Sequence, residues 1–182
     1  MKKLILSALV LAAVSFGANA ADVNTSTAGG TSAAALQAPI AVTAATTGDV
    51  DKDGTAVLNG NKLDFGIINI VAAGGAVKVG VTNVYDALTS GMLQASGGVP
   101  SAAGFKIAGT VGLTYIVTVV DGGNMTNGTT PLTLSDFTNS ASGTVGASVP
   151  SNTFLVGGQL NIPANATVGA YAGTFNVTVA YN

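Results

Sequence analysis

From Tyr171 to Tyr181 the chain alternates: Tyr171, Gly173, Phe175, Val177, Val179 and Tyr181 form one set, and Thr174, Asn176, Thr178 and Ala180 fall between them. A helix would spread the first set around its circumference, whereas a strand turns successive side chains to opposite faces. The pattern therefore calls for a strand with one apolar face toward a core and one polar face toward water. A strand of that kind is not stable alone, because its apolar row needs a second layer of structure to cover it.

The same two-residue period recurs along the chain. Leu36, Ala38, Ile40, Val42 and Ala44 alternate with Gln37, Pro39, Ala41 and Thr43, and Pro39, which has no backbone donor, implies that this strand is at an edge or begins there. Leu113 to Val120 alternates as well, and its second face is partly apolar, which predicts a central strand. Ala76 to Val81, Gly104 to Ala108, Leu132 to Phe137, Thr153 to Ile162 and Ala172 to Tyr181 read as further strands. Thr55 to Leu58 and Lys62 to Ile68 flank Asn59-Gly60-Asn61, a hairpin signal, and Asn124 to Pro131 holds a second turn at Asn127-Gly128. Only residues 84–95 suggest a short helix, with Val84, Leu88 and Met92 at helical intervals. The expected fold is all-β, an immunoglobulin-like β-sandwich of about seven to nine strands rather than a barrel.

The first residues predict export. Lys2 and Lys3 precede an apolar run from Leu4 to Phe16, and Ala18-Asn19-Ala20 is a small-residue cleavage site, so residues 1–20 read as a signal peptide. The run is shorter than the ~20 apolar residues that a membrane-spanning helix needs, and no later stretch comes closer, so no transmembrane segment is expected in the mature chain. Residues 21–35, small and polar, read as a flexible arm, and residues 36–182 as the sandwich. Loss of Lys2 and Lys3 leaves four lysines against eight aspartates, 4 − 8 = −4, compared with −2 for the full chain. That balance offers no basic surface for nucleic acid. The chain has no His or Cys, all eight acidic residues are Asp, and all six basic residues are Lys. The usual general bases, thiol nucleophiles and soft metal ligands are therefore missing, and the expectation is a protein that is not an enzyme and needs no cofactor. The expected location is the periplasm, then the cell surface or medium.

One motif points toward a metal. Asp49, Asp51 and Asp53 alternate ahead of Gly54, like the opening of a calcium loop in which alternate carboxylates face one ion. The twelfth position is Gly60 where such a loop has a bidentate Glu, so a solvated acidic turn is the competing reading.

Leu63-Asp64-Phe65-Gly66, Phe154-Leu155-Val156-Gly157-Gly158-Gln159-Leu160 and Gly169-Ala170-Tyr171-Ala172-Gly173-Thr174-Phe175-Asn176-Val177-Thr178-Val179 carry a resemblance to a family of small secreted bacterial domains. That family is similar to spore-coat-U-like proteins and to subunits of archaic chaperone-usher pili. The resemblance implies a pilin-like subunit with an incomplete sandwich, capped by a periplasmic chaperone and then polymerised by strand donation. It makes Tyr171, Phe175, Val177, Val179 and Tyr181 the strand that a chaperone or another copy would pair with, and Leu36, Ile40 and Val42 the candidate donor residues. The chain departs from pilin subunits in having no Cys and in the polarity of residues 22–34. Two functional readings follow: a structural or adhesive surface subunit, or a secreted monomeric module that binds a carbohydrate or cell-envelope component.

Overall fold

The computed structural model describes residues 37–122, 124–148 and 152–182. The expected signal peptide, arm and Leu36 lie outside them. Ten strands run in chain order: β1 (Ala41–Ala44), β2 (Ile68–Asn69), β3 (Gly75–Val79), β4 (Tyr85–Leu88), β5 (Leu93–Gln94), β6 (Ala103–Ala108), β7 (Tyr115–Asp121), β8 (Thr133–Asn139), β9 (Thr153–Ile162) and β10 (Phe175–Tyr181). All their pairings are antiparallel, and the fold is an all-β, sandwich-like one.

β9 organises the larger sheet. β3 pairs with its Gly158–Ile162 part and β6 with its Thr153–Val156 part, while β8 pairs with residues from Val156 to Asn161. Because β8 shares β9 residues with both β3 and β6, it occupies the opposite edge. β4 extends the sheet beyond β3, and β1 extends it beyond β6. β9 is also covered on both faces: Phe154, Val156, Leu160 and Ile162 belong to the main core, and Leu155 packs with Ala45, Val57 and Ala102 in a smaller one. Two adjacent glycines make this crowding feasible. A Cβ on Gly157 would lie 2.4 Å from the Val79 carbonyl oxygen, and one on Gly158 would lie 2.9 Å from the Phe137 ring.

The second layer is the β7–β10 ribbon, with Phe175 opposite Asp121 and Tyr181 opposite Tyr115. Its inner residues, among them Tyr115, Val117, Phe175, Val177, Val179 and Tyr181, pack on the main core. Phe175 fastens the layers together: its ring meets Phe105 of β6 edge-on at 6.0 Å and Phe137 of β8 at 5.5 Å, and Phe105 stacks on Phe154 at 5.7 Å. β2 and β5 form a separate short pair.

Three expectations are corrected. Residues 84–95 form β4 and β5 instead of a helix: Asn83 takes a left-handed φ of 61° in a turn closed by Asn83 N to Gly80 O, which sends the chain back along β3 as a hairpin. The Asn59-Gly60 turn exists, with Gly60 at φ 59° and Lys62 N donating to Asn59 O, but its flanks do not pair with each other. Ala56 bridges Val50 and Asp64 bridges Ser101, and Gly104 N takes the Gly60 carbonyl, so each flank is drawn to a different neighbour. β7 is not central. It forms a two-stranded sheet with β10, and the second apolar set, Ile116 and Val120, is exposed at 57% and 49%. The edge position of the strand after Pro39 stands, since β1 ends the sheet.

Phe154→Ala is expected to cost about 3–5 kcal/mol, and Phe175→Ala, which removes a half-buried ring, about 2 kcal/mol. Urea unfolding of the two variants measures both, and equal losses would mean that Phe175 is as fully packed as Phe154.

Candidate functional site

The β7–β10 register fixes which way the β10 backbone points. Asn182 N donates to Thr114 O and Gly122 N to Thr174 O, so the bonded pairs of this ladder are those of Asn176, Thr178 and Ala180. In an antiparallel pair the intervening residues turn their N–H and C=O groups outward. Those are Phe175, Val177, Val179 and Tyr181, and among the described residues their backbone groups meet no partner. The strand carries neither charge nor proline along its seven residues, the devices that proteins use to blunt an exposed edge. The predicted partner residues Phe175, Val177, Val179 and Tyr181 therefore share this strand, with half-buried side chains facing the core. Tyr171 lies ahead of the strand.

At its far end β10 is held by Tyr181, whose Oη accepts from Thr110 N at 2.7 Å and donates to Ala38 O at 3.1 Å. At its near end lies an apolar groove. A hollow of about 550 Å³ is lined by residues including Leu63, Phe65, Ile68, Leu160, Ile162 and Tyr171. A second of about 310 Å³ adds Phe105, Leu134 and Phe175. Lys62, Leu63, Phe65, Met125 and Tyr171 line both, so the hollows adjoin. The larger one falls within the range of ligand-binding pockets. Exposed Ile67 and Val168 stand at its rim.

The groove wall is pinned by polar contacts. Asp64 Oδ2 accepts from Lys62 Nζ at 2.6 Å and its Oδ1 from Gly66 N at 2.8 Å, and Tyr85 Oη donates to Phe65 O at 2.6 Å. Burial pushes the Asp64 carboxyl up, but the Lys62 and Gly66 bonds outweigh it and hold the group below its ordinary value. Burial, then the Asp64 charge, raises Tyr85. On the opposite wall Tyr171 Oη donates to Thr167 O at 2.7 Å.

Of the candidate donor residues, Ile40 and Val42 are half-buried against the main core, at and just before β1. The three aspartates of the calcium motif are directed to different partners. Asp49 Oδ2 takes Lys106 Nζ at 2.6 Å together with Thr46 N and Oγ1, each at 2.7 Å. Asp51 is buried, accepting from Asp53 N and Thr55 N on one oxygen and from Ser140 Oγ on the other. Asp53 pairs with Lys52. Among the described residues no three such side chains are grouped to hold a metal ion. Asp51 instead folds residues 51–55 back and ties them to the segment after β8, which keeps Val57 over Leu155.

The sequence pattern locates β10 but does not bring together the larger hollow, whose lining comes from residues 62–68, Ile70, Met125, Leu132, Leu160, Ile162 and residues 166–171. Parts of its lining carry sequence signals: Leu63 and Phe65 lie in the Leu63-Asp64-Phe65-Gly66 motif, Tyr171 heads the terminal alternation, and Leu160 and Ile162 alternate along β9. The strand pairings define an antiparallel, all-β, sandwich-like domain with β10 at an edge. The chain belongs to the family described as a domain of unknown function, DUF4402, which it matches over residues 55–181, from ahead of β2 through β10. No curated protein and no solved structure matches it.

The Lys106 bond, followed by the Thr46 side-chain and backbone bonds, lowers Asp49 from 3.8 to about 2. A depressed folded-state value means that the stabilisation is fully present above about 4 and is lost as the pH falls through about 2. Asp49→Asn is expected to flatten stability between those values, measured as the pH dependence of the unfolding midpoint; an unchanged slope would show that the Lys106 contact does not hold in solution.

Proposed function

We propose that this chain is exported and serves as a structural or adhesive cell-surface subunit, pilin-like, that assembles by pairing an edge strand with strands of other chains. The observation that carries this is β10: seven residues without charge or proline, outward backbone groups without partners among the described residues, and an apolar groove continuing from its start. Strand addition suits such a surface because main-chain hydrogen bonds supply affinity whatever the side chains, while pockets along the groove select alternate apolar residues. The half-buried state of Phe175, Val177, Val179 and Tyr181 adds a driving force, since a strand laid beside them removes further apolar area from water at about 25 cal/mol per Å².

The likeness to spore-coat-U-like proteins and archaic chaperone-usher subunits belongs to this reading, as does capture of the edge by a periplasmic chaperone before assembly. The working chemistry is non-covalent. A chain without His, Cys, Glu or Arg has few groups with which to move protons near neutral pH, whereas β-strand addition needs none.

Protein sheared from producing cells and run in detergent gels is expected to migrate above the monomer, as a dimer or a ladder, and to collapse to one band only on boiling. A lone monomer band in both lanes sinks the proposal.

A further inference from the structure

The β10 sequence Phe175-Asn176-Val177-Thr178-Val179-Ala180-Tyr181 has nearly the same chemistry in both directions about Thr178: aromatic, small or polar, Val, Thr, Val, small or polar, aromatic. Its neighbour β7 does so about Thr118 only over Ile116-Val117 and Val119-Val120, since its outermost pair is Tyr115 and Asp121, and Thr118 lies opposite Thr178. A strand with this symmetry is complementary to itself in antiparallel pairing. Turned about a two-fold axis through Thr178, Val177 of one copy meets Val179 of the other, Phe175 meets Tyr181, and Asn176 meets Ala180. Apolar side chains stay with apolar ones on the core side, and small and polar ones stay with their like on the outer side.

The backbone agrees with this register. A centre at Thr178 leaves the central pair non-hydrogen-bonded and makes bonded pairs of Val177 with Val179 and of Phe175 with Tyr181. Those four residues are the ones whose N–H and C=O groups point away from β7 and meet no partner among the described residues. At the Tyr181 end the contact with Ala38 is made by the phenolic hydroxyl, so the Tyr181 backbone groups remain available. No residue from Phe175 to Tyr181 is charged, so the axis brings no like charges together.

Resting on the reading that this edge is the working surface, we propose that its occupant is β10 of a second copy of this chain. The two copies join in an isologous dimer with a continuous β7–β10–β10–β7 sheet centred on Thr178. The dimer closes on itself and satisfies the edge of both copies, so it is an assembly distinct from a strand-donated polymer, which is heterologous and open.

The absence of cysteine gives a clean test, carried out on the full exported chain. In the Thr178→Cys variant the two thiols sit directly across the axis, on Cα atoms about 4.5 Å apart, a separation that a disulfide spans. In Thr118→Cys the new thiol lies on the same outer face but one strand away from the axis. Mild oxidation is expected to convert most Thr178→Cys protein to a reducible dimer while Thr118→Cys stays largely monomeric, and light scattering should give the parent chain a dimer mass. Thr178→Lys and Thr178→Asp, changes at an exposed position, should each be folded monomers by circular dichroism and form a dimer when mixed. A monomeric parent chain, or equal cross-linking at 178 and 118, overturns the dimer. A boiling-sensitive ladder without preferential linkage at 178 also overturns it, while leaving the strand-donation proposal standing.

Discussion

Four of the six phenylalanines meet where the two layers touch, and Phe175 is the one that crosses. Phe105 and Phe154 stack within the larger sheet, Phe137 approaches from β8, and the β10 ring lies against both Phe105 and Phe137. A chain with no cysteine has no covalent tie between its layers, so their alignment rests on burial and ring geometry. The glycine pair of β9 serves the same contact from below. Gly158 leaves the space into which the Phe137 ring settles, and Gly157 lets Val79 approach. A side chain at either position would push the sheet away from the ring cluster that holds β10 in place.

That arrangement buries β9 on both faces while leaving β10 covered on one side only. Every position of β9 is buried or half-buried, whereas β10 alternates between half-buried and exposed along its whole length. Stability is thus concentrated at the centre of the six-stranded sheet, and the edge strand is held by one ladder, one aromatic cluster and the Tyr181 hydroxyl. A strand so placed can gain much from a neighbour and lose little by waiting for one. The groove extends the same logic, since its apolar lining continues beyond the start of β10, where the chain supplies no strand of its own among the described residues.

How much of this was legible beforehand depended on whether local pattern and pairing agreed. The pattern gives β9 its exact bounds, through an apolar run buried on both faces, and β3, β6, β8 and β10 within a few residues, through apolar residues recurring along each strand. Legibility failed where tertiary partners overrode a local signal. Asn59-Gly60 makes its turn, yet Ser101 and Gly104 draw the following residues away from the preceding ones. Val84, Leu88 and Met92 fit a helix, but Asn83 and Gly91 adopt left-handed backbone conformations on either side and leave room only for β4 and the turn after it. The outer apolar residues of β7 suggested burial and are exposed, a distinction that period alone does not carry. The groove as a whole is not legible for a related reason: Leu63, Phe65, Leu160 and Tyr171 each carry a local signal, but the segments that hold them are far apart in sequence and several are loops.

The Asp49, Asp51 and Asp53 motif shows how one pattern can serve a different physical end. Alternate carboxylates can converge on an ion only if the loop curls around a centre, and here the loop curls around Asp51 itself. Its carboxylate takes the backbone donors of Asp53 and Thr55 and reaches across to Ser140, whose Oγ in turn accepts from Leu155 N. The connection therefore runs from an acidic turn directly into the buried β9 strand. Burying a carboxylate is costly unless its oxygens are satisfied, and three donors do so here. The 45–57 loop is thereby fixed over the second face of β9, so the motif that resembles a binding site in sequence acts in this fold as the latch that keeps the central strand dry on both sides.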